Sequence, residues 1–121
     1  MSNPSKQKGT SFETLIRDYL VSKGFPKAHR TALSGGQDTG DIHGIANLHT
    51  DAEVAVQCKN QKKFNLSGWL DATVEQAERL DNAVPLLVVK RPGKGAHSLD
   101  DTYAVMRLCD VVSLLKEANY V

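Results

Sequence analysis

Little in this sequence is extreme, and each shortage removes a class of protein. Two cysteines in 121 residues, Cys58 and Cys109, cannot build a disulfide framework. Cys58 lies in an apolar segment and Cys109 near a helix start, so both are expected to be buried, reduced thiols. No apolar run approaches the roughly eighteen residues of a membrane span, and no signal-peptide pattern opens the chain. A cytoplasmic protein is therefore expected. The formal net charge is only +1. That excludes a protein coated in positive charge, so any contact with nucleic acid must use local basic clusters. The four histidines lack metal-ligand spacing such as H-x-x-x-H, which argues against a zinc site. Gly93-Lys94-Gly95 lacks the Walker spacing and does not support nucleotide binding.

What is present suits one ordinary domain. Apolar residues make up 40% and charged residues 24%. A chain of this size buries roughly two-thirds of its unfolded surface, enough for one core without staples. Residues 1–8 are polar and are expected to form a flexible segment ahead of a single domain over residues 9–121. Phe12, Leu15, Ile16, Tyr19 and Leu20 fall at helical spacing, which predicts a helix over residues 11–23, stopped by Gly24. Strands are predicted near residues 28–33, 41–46 and 53–59. Between the first two, residues 34–40 hold three glycines and read as a loop. A second helix is predicted over residues 67–81, with Trp69, Leu70, Val74, Ala77 and Leu80 inward. Leu86-Leu87-Val88-Val89 is apolar without interruption, which predicts a central strand covered on both faces. A long loop over residues 91–100, a strand over 102–106 and a closing helix over 110–118 complete the order αβββαββα. Helices placed before, within and after the strands can cover both faces of one mixed sheet, giving an α/β fold.

The chemistry concentrates around Asp41 and the strand Val54-Ala55-Val56-Gln57-Cys58-Lys59. Residues two apart on a strand share a face, so Gln57 and Lys59 project together. If the strands of Asp41 and Gln57 pair, a carboxylate, an amide oxygen and an ammonium meet at one point. Such a set can hold a divalent metal against a phosphate and position a water beside it. The plainer alternatives are a turn aspartate after glycine and the solvent face of a strand. Glu13 is a fourth candidate. Thr10-Ser11-Phe12-Glu13 fits a capping box with Thr10 as N-cap. The helical wheel also sets Glu13 on the rim of the buried face, where it can look toward the sheet. Glu75 and Gln76 on the second helix either face the same site or flank the core. Trp69 reads as core.

Lys8-Gly9, Phe12-Glu13, Leu20, Gly24-Phe25, Arg30, Ser34-Gly35, Gly40-Asp41-Ile42 and Val56-Gln57-Cys58-Lys59 together resemble the archaeal-type Holliday junction resolvases. Those enzymes belong to the PD-(D/E)xK nuclease superfamily, and the resemblance spans residues 8–59. It implies a restriction-endonuclease-like core and hydrolysis of DNA phosphodiesters with Mg²⁺ or Mn²⁺. It implies that Glu13, Asp41 and Gln57 bind metal, with the backbone carbonyl of Cys58 as a further oxygen ligand, and that Lys59 assists catalysis. Ser34 matches a serine of the active-site loop. Two positions depart from the pattern. Gly40 stands where a proline usually precedes the aspartate, a structural position. Gln57 replaces an acidic residue, which keeps an oxygen ligand but removes a charge.

Basic residues cluster in three places: Lys59, Lys62 and Lys63; Lys90, Arg91, Lys94 and His97; and Lys27, His29 and Arg30. With Lys8, these are the expected phosphate contacts, which set affinity rather than sequence choice. Resolving a four-way junction takes two cuts, so a homodimer is expected, with residues 102–106 or 110–118 at its interface. Two other readings stand beside the resolvase. One is a restriction-like or repair nuclease acting on duplex or flap DNA. The other is a non-catalytic DNA-binding module that kept the fold and lost the metal.

Overall fold

The computed structural model describes residues 4–31 and 38–121. Its elements are α1 (Pro4–Ser22), β1 (His29–Arg30), β2 (Ile42–Ala46), β3 (Glu53–Lys59), α2 (Leu66–Glu78), β4 (Ala83–Val89), the 3₁₀ segment η1 (Ala96–Asp101), β5 (Tyr103–Val105) and α3 (Leu108–Glu117). The order αβββαββα is the expected one, with η1 folded into the stretch read as plain loop. One five-stranded sheet runs β1-β2-β3-β4-β5, and only the β3–β4 pair is parallel.

The two faces of the sheet carry different apolar sets because β3 alternates. Val56 and Cys58 join Phe12 and Ile16 of α1, together with Ala28, Ile42 and Val88, in one buried cluster. Ala55, Gln57 and Lys59 point to the opposite face. There Trp69 of α2 packs on Leu87 and Val89 of β4. The sheet is thus sandwiched between α1 and α2, a layered α/β arrangement. Leu87 and Val89 are fully buried, as an interior strand requires. Pro85 lies within β4, where it can donate no hydrogen bond. β5 pairs only with Leu87, Val88 and Val89, so at Pro85 one side of the strand has no described neighbour to receive one.

Three expectations are corrected. α1 begins at Pro4, seven residues ahead of the expected Ser11, so Thr10 is inside the helix and is no N-cap. Its carbonyl accepts a hydrogen bond from Thr14 Oγ1 at 3.1 Å. The polar stretch ahead of Phe12 reads as frayed chain, but one interior glycine, Gly9, costs only about 1 kcal/mol, and proline suits a first turn. α2 ends at Glu78, short of residue 81, where Arg79 N–H closes on the Gln76 and Ala77 carbonyls. Cys58 is buried as expected, whereas Cys109 is exposed. It stands in the first turn of α3, which has no buried residue.

Candidate active site

Asp41 sits where two strand pairings end, and each of its backbone groups is used. Its N–H donates to the Val56 carbonyl at 2.7 Å, and its carbonyl accepts from Thr31 N–H at 2.9 Å. Its carboxylate Oδ2 accepts from Cys58 N–H at 2.8 Å. The side chain is therefore tied to the strand that carries Gln57 and Lys59. Ile42 pairs with Val56, so Asp41 lies one step further along, beside Gln57. The chain reaches this point through Gly40, whose φ is +111°. A Cβ there would come within 3.2 Å of the Val56 carbonyl oxygen. The position is closed to proline, whose ring holds φ near −65°. Gly40 is thus no neutral replacement for the proline of the resembled pattern.

Glu13 comes from α1 on the other side. Arg30 of β1 holds it, donating from Nη2 to Glu13 Oε2 at 2.8 Å and from Nη1 to Thr14 Oγ1 at 3.2 Å. The Glu13 carboxyl lies near the Asp41 carboxyl, and its charge bears on it. Asp41 is pushed up to about 7 by burial, by the charge of Glu13 and by Asp38, against the Cys58 N–H, which pulls it down. Burial likewise pushes the Cys58 thiol well up, with the charges of Asp41 and Glu13 adding to it, so the sulfur is a neutral thiol here.

These groups line a cleft of about 610 Å³, together with Lys8, Gly9, Gln57, Cys58, Lys59, Asn60, Gln61, Lys62 and Lys63. The longer α1 is what brings Lys8 to it. The sequence expectations for Glu13, Asp41, Gln57, Cys58 and Lys59 thus converge on one cavity. Lys90 adjoins it through its N–H, which donates to the Lys59 carbonyl at 2.9 Å. Three further basic residues have partners of their own. Arg30 is bound to Glu13, Arg91 lies over the Tyr103 ring at 5.5 Å, and Lys94 faces Asp101 at 3.6 Å. Ser34 lies outside the described residues.

A metal fits this set on one observation above others. Gln57 Oε1 is buried and has no hydrogen-bond partner among the described residues. A buried amide oxygen left unpaired costs roughly 1–3 kcal/mol. In the same cleft the Asp41 and Glu13 carboxyls lie near one another, a repulsion that a cation would relieve. The described residues hold no group of three or more His, Cys, Asp or Glu able to bind a metal. At residue 57 the chain carries an amide in place of a further carboxylate. The Cys58 N–H points toward Asp41, and N–H and carbonyl of one strand residue leave on the same side. The Cys58 carbonyl therefore faces Asp41 as well.

The family described as "Phage putative PDDEXK endonuclease" matches residues 4–120. The chain belongs to this family. It is a nuclease of the PD-(D/E)xK type, and the cleft holds Asp41, Gln57 and Lys59, the residues on which the sequence expectation sets that motif. No curated protein and no solved structure gives a significant match. The archaeal resolvase resemblance is thus supported at the level of the superfamily. No helix among the described residues is long and apolar enough to cross a membrane.

Sequence reasoning missed part of the PD-(D/E)xK site. Arg30, expected on DNA, instead grips Glu13. Asp38 and Arg79 drew no attention, yet both hold the approach to Asp41. Gln76 and Arg79 reach Asp38 across 38 and 41 residues, which no local pattern marks, whereas the Asp38–Gly40 bond is a local turn contact.

Proposed function

We propose that this nuclease is a divalent-metal-dependent, structure-selective DNA endonuclease that cuts four-way junctions as a homodimer. The observation that carries the metal dependence is the unpartnered, buried Gln57 Oε1 in the cleft that Asp41 and Glu13 also line. Glu13, Asp41, Gln57 Oε1 and the Cys58 carbonyl would hold Mg²⁺ or Mn²⁺, hard cations that take oxygen ligands. Such an ion supplies an acidified water and offsets phosphate charge. Arg30 keeps Glu13 turned into the cleft. Lys59, on the face shared with Gln57, meets the scissile phosphate as a point charge. Lys8, Lys62 and Lys63 line the same walls and take flanking phosphates, with Lys90, Arg91 and Lys94 extending the basic surface.

The dimer is supported by α3. Leu108, Val112 and Leu115 recur along one side of it and are 77%, 43% and 43% exposed. An apolar stripe of that kind suits a two-fold contact, which would set two equivalent clefts at a fixed separation. The test is cleavage of four-way junction, flap and linear duplex DNA with Mg²⁺, Mn²⁺ or EDTA, with sedimentation to give the assembly state. Junctions should be cut fastest by a dimer, EDTA should stop cleavage, and binding should weaken steeply with salt. A monomer that cuts linear duplex as fast as junctions would reject the resolvase reading and leave a duplex nuclease.

Gln57→Glu tests the ligand set directly. Adding a charge at the metal should lower the metal concentration for half-maximal cleavage by on the order of tenfold. It should also lower the melting temperature of the metal-free protein, because a third carboxylate joins Asp41 and Glu13. An unchanged metal titration would place residue 57 outside the ligand shell.

A further inference from the structure

The residue before Asp41 is a glycine, the residue with the greatest backbone freedom, so its conformation needs an outside constraint. Asp38 supplies one. Its Oδ1 accepts from Gly40 N–H at 2.9 Å. Its Oδ2 accepts from Gln76 Nε2 at 2.9 Å, and its backbone carbonyl accepts from Arg79 Nη1. Gln76 is itself buried, at 8% exposure, on the sheet side of α2. An ionised Asp38 can only accept, so it fixes which way round the Gln76 amide stands. The other end of that amide, Oε1, is buried without a partner among the described residues. An amide kept only for packing would cost less as an apolar side chain. From α2, through Asp38, to Gly40, this is a continuous hydrogen-bonded brace that ends at the residue joined to Asp41.

We infer that Gln76 is a positioning residue, which acts through Asp38 and Gly40 to hold the Asp41 carboxylate at the cleft. The inference rests on the nuclease reading for its catalytic consequence, but not for the brace itself. Gln76 touches neither substrate nor metal in this role. Its contribution is to remove the freedom that Gly40 would otherwise give Asp41. Misplacing a reacting group by about 1 Å can cost on the order of a hundredfold in rate.

The test uses Gln76→Glu, which sets a carboxylate against Asp38, and Gln76→Glu with Asp38→Asn, which rebuilds the bond in the reverse direction. In the double variant the amide introduced at position 38 donates from its nitrogen to the carboxylate introduced at position 76. The oxygen of that amide still accepts from Gly40 N–H. The single variant should lose about a hundredfold in kcat with KM for junction DNA nearly unchanged, and the double should recover most of it. Gln76→Met, close in volume and without a donor, should show the same kcat loss if Gln76→Glu fails to fold. Amide hydrogen exchange at Gly40 in the metal-free protein provides a second readout. It should speed up at least tenfold in the single variant and slow again in the double. Wild-type kcat in the single variants, or a kcat loss that the double does not restore, overturns the inference. If the wild type cuts no DNA, the nuclease reading fails, and the exchange data alone decide the brace: unchanged Gly40 exchange overturns it, and restored protection in the double supports it.

Discussion

Asp41→Asn should leave DNA bound and uncut. The substitution keeps shape and one oxygen but removes the charge that a hard divalent ion needs. The Cys58 N–H can still be accepted by the amide oxygen, so the end of β3 keeps its path. The lysines that line the cleft are untouched, and binding, which they carry, should change little. Cleavage depends on the acidified water and phosphate neutralisation that the bound ion supplies, worth several kcal/mol, so the rate should fall by about a thousandfold or more. Junction binding by gel shift in Ca²⁺ and cleavage in Mg²⁺ separate the two effects. Full cleavage by Asp41→Asn would sink the nuclease mechanism. A variant that loses binding and cleavage together would instead indicate a folding defect where β2 meets β3.

The elements that carry a strong period were legible in the sequence, and the site was legible where those elements bring it. β3 was placed to the residue, because its alternation contrasts Val54, Val56 and Cys58 with Gln57 and Lys59. β4 announced itself as interior through uninterrupted apolarity. The start of α1 was not legible. The stretch Lys6-Gln7-Lys8-Gly9 carries no apolar stripe to set against the sheet, and a glycine reads as a break. Its helicity continues that of the well-packed turns at Phe12 and Ile16, which shows how packing of one part of a helix carries a polar extension.

The exposure of Cys109 failed for a related reason. Free cysteine is most often buried, but α3 packs too loosely to bury any of its residues. In the site, Asp41, Gln57 and Lys59 could be found because strand parity and one pairing bring them together. Glu13 needed the resemblance, since the capping-box alternative was equally consistent with the residues. The Arg30–Glu13 ion pair and the Asp38–Gln76 bond join residues 17 and 38 apart, across elements whose packing no local pattern specifies. The Gly40 departure was legible as a letter but not as a conformation. Only the positive φ and the nearby Val56 carbonyl show that this chain turns into Asp41 by a route that proline cannot take.

Metal binding should strengthen steeply with pH up to about 7 and then level off. Asp41 is pushed up to about 7 from its usual 3.8, chiefly by burial. Below that pH its carboxyl is mostly protonated in the metal-free fold, and a cation must displace the proton to bind. Well below pH 7 each unit costs about tenfold in apparent affinity, so Mn²⁺ should bind about fiftyfold more weakly at pH 5 than at pH 7. The sign for stability runs the opposite way. Between the two pKa values the folded state binds more protons than the unfolded one, so metal-free stability should fall as pH rises from about 4 to 7. Excess Mn²⁺ should reverse that fall, because the ion binds only the folded state. Calorimetric titration in two buffers of different ionisation enthalpy measures the proton released, which should approach one at pH 5 and vanish above pH 8. Asp41→Asn should abolish both the proton release and the fall in metal-free melting temperature. A metal affinity that is flat from pH 5 to 8 would show that Asp41 is already ionised in the fold, and that the crowding with Glu13 is relieved without a cation.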